Sequence, residues 1–134
     1  MDDIFVGQLM SSPVQTVVPG TPIHEGAEVM LTQDIGSLVV VDEDDDPEGI
    51  LTTTDFVKLA ADRASTDGTL VEEYMTTVGL TATANEPIEV AADRMIDNGI
   101  HHLPVVEERE GVIGILTTAD LTAYLSRDWK PSPS

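Results

Sequence analysis

The sequence predicts an α/β fold made of two strand–helix–strand–strand–helix repeats related by pseudo-two-fold symmetry. Three observations carry that prediction. The first is an echo at a spacing of 65 residues. Met10, Pro22-Ile23, Ala27, Met30, Ile35, Leu38, Val40-Val41 and Gly49-Ile50-Leu51-Thr52-Thr53-x-Asp55 return at Met75, Pro87-Ile88, Ala92, Met95, Ile100, Leu103, Val105-Val106 and Gly114-Ile115-Leu116-Thr117-Thr118-x-Asp120. Between Val6 and Leu59 no gap is needed, and 18 of the 54 aligned positions are identical, too many in one register for shared composition to produce. The second is helical periodicity in both copies, and the third is a pair of short β-branched runs after each helix.

Each copy reads in the same order. A lead-in segment (Val6–Met10, then Val71–Met75) precedes a strand-like stretch around Val14–Val18 or Leu80–Thr83. Thr21-Pro22 and Glu86-Pro87 place proline where a first helical turn tolerates it. Ile23, Ala27, Met30 and Leu31 follow at i, i+4, i+7 and i+8, matched by Ile88, Ala92, Met95 and Ile96, so both segments are amphipathic helices. Asn98-Gly99 stops the second helix, where the first has Gln33-Asp34. Leu38–Val41 with Gly49–Leu51, and Leu103–Val106 with Val112–Leu116, read as hairpins, and Asp55–Asp62 and Asp120–Arg127 as closing helices. The expected boundaries are 1–66 for the first repeat with its lead-in, 67–127 for the second, and 128–134 for an irregular tail, with Arg63–Leu70 as the linker. Each copy is too small to bury its own core, so the two should form one domain.

Composition narrows the function. Asp and Glu number 25 against 6 Lys and Arg, a net charge of −19, which repels nucleic acid and anionic lipid. The acidic residues are dispersed over turns and helix faces above an intact aliphatic core, so disorder does not explain them. A uniformly acidic, lysine-poor surface resembles proteins of salt-accumulating halophiles, where salt screens self-repulsion. There is no cysteine, which excludes disulfides and thiol chemistry. No leader and no apolar run of about 18 residues is evident, so a soluble cytoplasmic protein is expected.

The motif with most chemical content is Gly-Ile-Leu-Thr-Thr-x-Asp, at Gly49–Asp55 and Gly114–Asp120. A strand running into a helix leaves backbone N–H groups unpaired at a positive helix end. Thr52, Thr53, Thr117 and Thr118 add hydroxyls there, which suits a phosphate. An Asp three residues after the first Thr can accept from two neighbouring hydroxyls, as on a ribose. Thr and Asp are also ordinary capping residues, and one copy alone would read as a cap. Two copies in one register point to a ligand.

These residues, with Ile100-His101-His102-Leu103-Pro104-Val105-Val106 and its counterpart Ile35-Gly36-Ser37-Leu38-Val39-Val40-Val41, resemble a tandem pair of cystathionine β-synthase (CBS) domains, the Bateman module. The resemblance covers about residues 5–126. It implies two units packed through their sheets, with adenosine-containing ligands (AMP, ADP, ATP or S-adenosylmethionine) bound in clefts between them. It further implies that Asp55 and Asp120 hold ribose hydroxyls, and that Thr52 and Thr117, helped by Thr53, Thr54 and Thr118, lie near phosphate. Backbone around Gln15-Thr16 and Leu80-Thr81 would meet the adenine edge, with Ile35, Ile50, Ile100 and Ile115 as apolar walls. Each site should mix repeats: Asp120 and Thr117 with Gln15, Ile35 and Gly36, and Asp55 and Thr52 with Leu80, Ile100 and His101. Ala119 in place of Thr54, Gly36 against His101, and Val39 against Pro104 make the two sites unequal.

The remaining candidates are weaker. Adjacent His101 and His102 point to opposite faces of a strand, so they are no metal pair. His101 reads either as a phosphate donor facing the cleft or as a surface histidine. Asp42–Asp46 lacks the glycine and glutamate of a calcium loop, having Pro47 and Thr53 there, and reads as a solvated turn. Basic residues are scarce, so a triphosphate would need magnesium. No phosphate-binding Gly-x-x-x-x-Gly-Lys loop, nucleophile elbow or His-Glu-x-x-His pair occurs, and no catalytic site is expected. The reading is a stand-alone ligand sensor, homodimeric by family resemblance, acting on a separate effector protein. The alternative is a ligand-independent dimerisation module.

Overall fold

A computed structural model describes residues 3–126. The elements follow the expected order. Helix α1 (Val6–Leu9) leads to β1 (Thr16–Val17), α2 (Ile23–Gln33), the hairpin β2 (Ser37–Val41) and β3 (Pro47–Thr52), and α3 (Thr53–Ala61). A 3₁₀ turn (Val71–Glu73) then leads to β4 (Thr76–Thr77), α4 (Ile88–Asn98), the hairpin β5 (His102–Glu107) and β6 (Gly111–Thr117), and α5 (Thr118–Leu125).

Contacts gather the chain into two compact units that cut across the sequence repeats. One is Gln15–Gly79; the other joins the chain up to Val14 with the chain from Leu80 on. Each lead-in segment therefore belongs with the other copy. Val71, which opens the second repeat, is fully buried in the core of Ile23, Met30, Leu38, Val40, Leu51 and Leu59. Val6 and Leu9 are buried with Ile88, Ala91, Met95, Leu103, Val105 and Leu116. Burying a Val or Leu side chain contributes about 1.5–3 kcal/mol, so the exchanged residues are substantial members of each core. The expected linker is also fixed. Ile23 N–H donates to Thr69 O and Val71 N–H to Thr21 O, which ties residues 69–71 to the start of α2.

In the first unit the sheet runs β1-β2-β3-β4, with β1 parallel to β2 and the other pairs antiparallel. The other unit keeps the same plan with shorter flanks. Its hairpin β5-β6 is joined by single bridges, Ala82 parallel to Val105 and Ser11 antiparallel to Ile115. The strand expected over Leu80–Thr83 thus shrinks to one bridge. Alternation divides the hairpins into two faces. Leu38, Val40 and Leu51 enter their unit's core, while Val39 and Ile50, also buried, lie on the opposite face.

Both closing helices begin two residues before the expected Asp, because Thr52 and Thr117 are the N-caps. The expected helix end at Arg127 and the tail 128–134 lie outside the described residues. Helices α2 and α4 end alike in a left-handed residue, Asp34 (φ 53°) and Gly99 (φ 62°). An L side chain there costs about 1–2 kcal/mol, least for Asp and Asn. Gly99→Ala is therefore expected to lower the unfolding free energy by about 1 kcal/mol in urea titration.

Candidate functional site

The motif glycines have a packing reason. A Cβ on Gly49 would lie 2.5 Å from Met75 Sδ, and one on Gly114 2.7 Å from Met10 Sδ and 3.0 Å from Ser11 O. The lead-in methionine of each unit crosses the strand there, so any side chain would push it aside and press on the carbonyl of Thr76 or Ser11. From these glycines β3 and β6 run into α3 and α5 with nearly identical geometry, Thr52 at φ −126°, ψ 169° and Thr117 at φ −121°, ψ 165°.

At both junctions the Asp reaches back to its cap. Asp55 Oδ2 accepts from Thr52 N–H at 2.8 Å and from Thr52 Oγ1 at 3.3 Å. Asp120 Oδ2 accepts the same pair from Thr117 at 2.8 and 3.1 Å, and Asp120 N–H donates to Thr117 Oγ1 at 3.2 Å. The capping role is thus real. It leaves Oδ1, and here the copies differ. Asp120 Oδ1 accepts from Ser11 Oγ at 2.9 Å. Asp55, although only 2% exposed, accepts no hydrogen bond on Oδ1 among the described residues.

The unit Gln15–Gly79 brings together Gln15, Thr16, Ile35, Gly36, Ile50 and Thr52–Asp55. Thr16, Val39, Ile50 and Thr76 form one row across its sheet. Gln15 O accepts from Val39 N–H at 3.2 Å, and Gly36 O from Thr53 N–H at 3.3 Å. The other unit places Leu80, Thr81, Ile100, His101, Ile115, Thr117, Thr118 and Asp120 correspondingly, with His101 O accepting from Thr118 N–H at 3.1 Å. Ile35 and Ile100 are partly buried against their own units' cores, while Ile50 and Ile115 are buried at 8% and 7% exposure. Thr53, Thr54, Thr118 and Ala119 are exposed on the first turns of α3 and α5.

The three sequence differences have physical consequences. His101 is exposed, and at Gly36 a side chain would meet open space, so the imidazole has no counterpart there. Pro104 has no N–H, so the bond that Val39 gives Gln15 O has no equivalent at Leu80 O. Thr54 offers a hydroxyl where Ala119 has none.

Three features escaped the sequence reading. One is Ser11, whose only sequence signal was a hydroxyl residue after methionine in both copies, Ser11 and Thr76. The second is the short strand β4. The third is a clamp on Thr81: Arg94 donates to Thr81 O at 2.9 Å while pairing with both oxygens of Glu86, at 3.3 and 2.8 Å. The aligned residues Val29 and Thr21 cannot form it in the first copy. In the acidic turn, Asp42 Oδ1 accepts from the N–H groups of Asp44 and Asp46, so that carboxylate closes the turn.

The Arg94 guanidinium holds the Glu86 carboxyl below the usual range; partial burial opposes this and Thr83 N–H assists it. A depressed carboxyl stabilises the fold fully above the ordinary glutamate value of about 4.3 and loses that contribution as pH falls through the folded value. Arg94→Gln is expected to cost about 1 kcal/mol at pH 7, and the gap to the native chain should narrow below about pH 4 in urea unfolding.

Two matches to the CBS domain family, at residues 6–62 and 71–127, show that the chain belongs to that family and carries the domain twice. It is 36% identical over 120 residues to an uncharacterized 17.7-kDa protein of Acidianus ambivalens, covering 90% of this chain and 72% of that protein. It is 34% identical over 121 residues to a homoserine O-acetyltransferase of Methanohalobium evestigatum, covering 90% of this chain but 24% of the enzyme. Among solved structures it is similar to the CBS domain pair of protein MJ0100 in complex with 5′-methylthioadenosine and S-adenosyl-L-methionine. That likeness has a TM-score of 0.82 at 30% identity and covers 92% of this chain and 97% of the other. An uncharacterized conserved protein of Pyrococcus horikoshii superposes equally well, at 0.82 and 28% identity, over 98% and 100% of the two chains. No helix among the described residues is long and apolar enough to cross a membrane.

Proposed function

We propose that the chain is a regulatory module that binds an adenosine-containing ligand and passes the signal to a separate protein by changing shape or assembly. The observation that carries this reading is Asp55, a residue almost wholly buried at a helix start, with one carboxylate oxygen used by the cap and the other accepting no hydrogen bond among the described residues. That oxygen keeps its acceptor positions for an incoming hydroxyl, and a hydrogen bond to a charged group contributes about 1.5–3 kcal/mol. The neighbouring threonine hydroxyls at the positive helix end favour phosphate or another electron-rich group. Leu80 O, which Pro104 cannot reach with an N–H, suits the amino edge of adenine. A relative 30% identical to this chain is known in complex with two adenosyl compounds, which supports the same ligand class here. A monophosphate or a phosphate-free adenosyl group suits the net charge of −19 better than a triphosphate, which would bring magnesium with it.

The competing reading is an interaction module whose Thr and Asp serve only as caps. The cap bonds themselves favour it, and Asn separates the two. Asp55→Asn keeps an oxygen for Thr52 N–H but puts an amide donor where the ligand needs an acceptor. The expected outcome in molar KCl, by calorimetry with AMP, Mg-ATP, S-adenosylmethionine and 5′-methylthioadenosine, is saturable binding by at least one compound. Asp55→Asn should weaken it about tenfold or more with a nearly unchanged melting temperature. Binding by none of them, or binding indifferent to Asp55→Asn and Asp120→Asn, leaves the interaction module standing.

A further inference from the structure

The two junctions share nearly the same backbone and the same bonds from the N-cap Thr to the Asp Oδ2, but differ in what their Asp can still accept. An ionised carboxylate has about four acceptor positions. Asp55 has two filled, both on Oδ2, so Oδ1 is open on both sides. Asp120 has the same two filled, and Ser11 Oγ takes a third on Oδ1. Ser11 is not casually placed. Its N–H donates to Ile115 O at 2.9 Å and its O accepts from Ile115 N–H at 3.1 Å, which anchors the residue beside the start of α5.

In the other unit Thr76 holds the same register, opposite Ile50, and also carries a hydroxyl. That hydroxyl makes no bond to Asp55, and a β-branched residue in a strand has few rotamers with which to turn toward it. The difference between Ser11 and Thr76 therefore changes the chemistry that the two carboxylates present.

We infer that Ser11 is a specificity-determining residue, leaving Asp120 able to read a single hydroxyl while Asp55 reads both hydroxyls of a vicinal diol. The inference rests on the ribose reading above. A ligand diol meets two open positions at Asp55, and losing either hydroxyl gives up a charge-assisted hydrogen bond. At Asp120 the second hydroxyl finds its place taken. Displacing Ser11, which is exposed and can turn to water, offsets most of the gain.

The test uses the full chain in molar KCl and the backbone amides of Thr53 and Thr118, one at each junction, as separate NMR reporters. The chain is titrated with AMP and with its 2′-deoxy counterpart. Thr53 should titrate with AMP at about tenfold or more lower concentration than with the deoxy compound, and Thr118 with less than about threefold difference. Ser11→Ala should raise the Thr118 ratio to that of Thr53 and leave Thr53 unchanged. Ser11→Thr, which copies the first unit, should do the same and stands in should the alanine variant unfold. Equal discrimination at the two amides in the native chain overturns the inference, as does a Thr118 ratio that neither substitution moves. If Thr118 is silent in the native chain, its appearance in Ser11→Ala supports the inference and continued silence overturns it. Silence of both amides toward AMP removes the ribose reading itself, and this inference with it.

Discussion

Each unit turns on a carboxylate that reaches back three residues to an amide. A strand that ends in a helix exposes N–H groups that neither element can satisfy alone. Asp55 and Asp120 close that gap with 2.8 Å bonds to Thr52 and Thr117, and in doing so fix where α3 and α5 begin. The same bond commits one oxygen of the carboxylate and aims the other away from the helix. Capping and ligand recognition are therefore not rival uses of the residue. The cap is what makes the remaining oxygen a directed acceptor.

Around that bond the fold supplies rigidity by exchange. Val6 and Val71 lie in the core opposite to the one their sequence copy would suggest, and the methionines that follow them cross the motif glycines so closely that a side chain there would displace them. The glycine that opens each Gly-Ile-Leu-Thr-Thr-x-Asp motif thus answers to packing, and the Asp that closes it answers to chemistry. Exchange also carries Ser11 and Thr76 into register opposite Ile115 and Ile50, so a residue distant in sequence, Ser11 from Asp120, becomes a direct partner.

Duplication sets up two equal junctions, and small substitutions make them unequal. Proline for valine at 104 removes a donor, histidine for glycine at 101 adds an imidazole, and serine rather than threonine in the lead-in adds a bond. Arg94, matched by Val29, adds a clamp on Thr81 that the first copy lacks. None of these changes disturbs the backbone of the motif. They alter what is offered to a ligand while the scaffold stays the same, which is how one repeated unit can hold two different recognition surfaces.

The sequence alone determined the repeat, its α/β order, the membership of the CBS family and the Thr-x-x-Asp junctions, because periodicity and capping chemistry act over a few residues and leave a local record. The helix starts expected at Asp55 and Asp120 fall two residues late, because N-cap and first-turn residues look alike along the sequence and Thr52 and Thr117 are the caps. Tertiary structure decided what local pattern cannot encode. It placed each lead-in segment in the other copy's core, reduced the Leu80–Thr83 strand to a single bridge, and brought Ser11 to Asp120 and Arg94 to Thr81. Those contacts depend on which surfaces meet across long stretches of chain, and burial energy selects them among arrangements that look alike along the sequence.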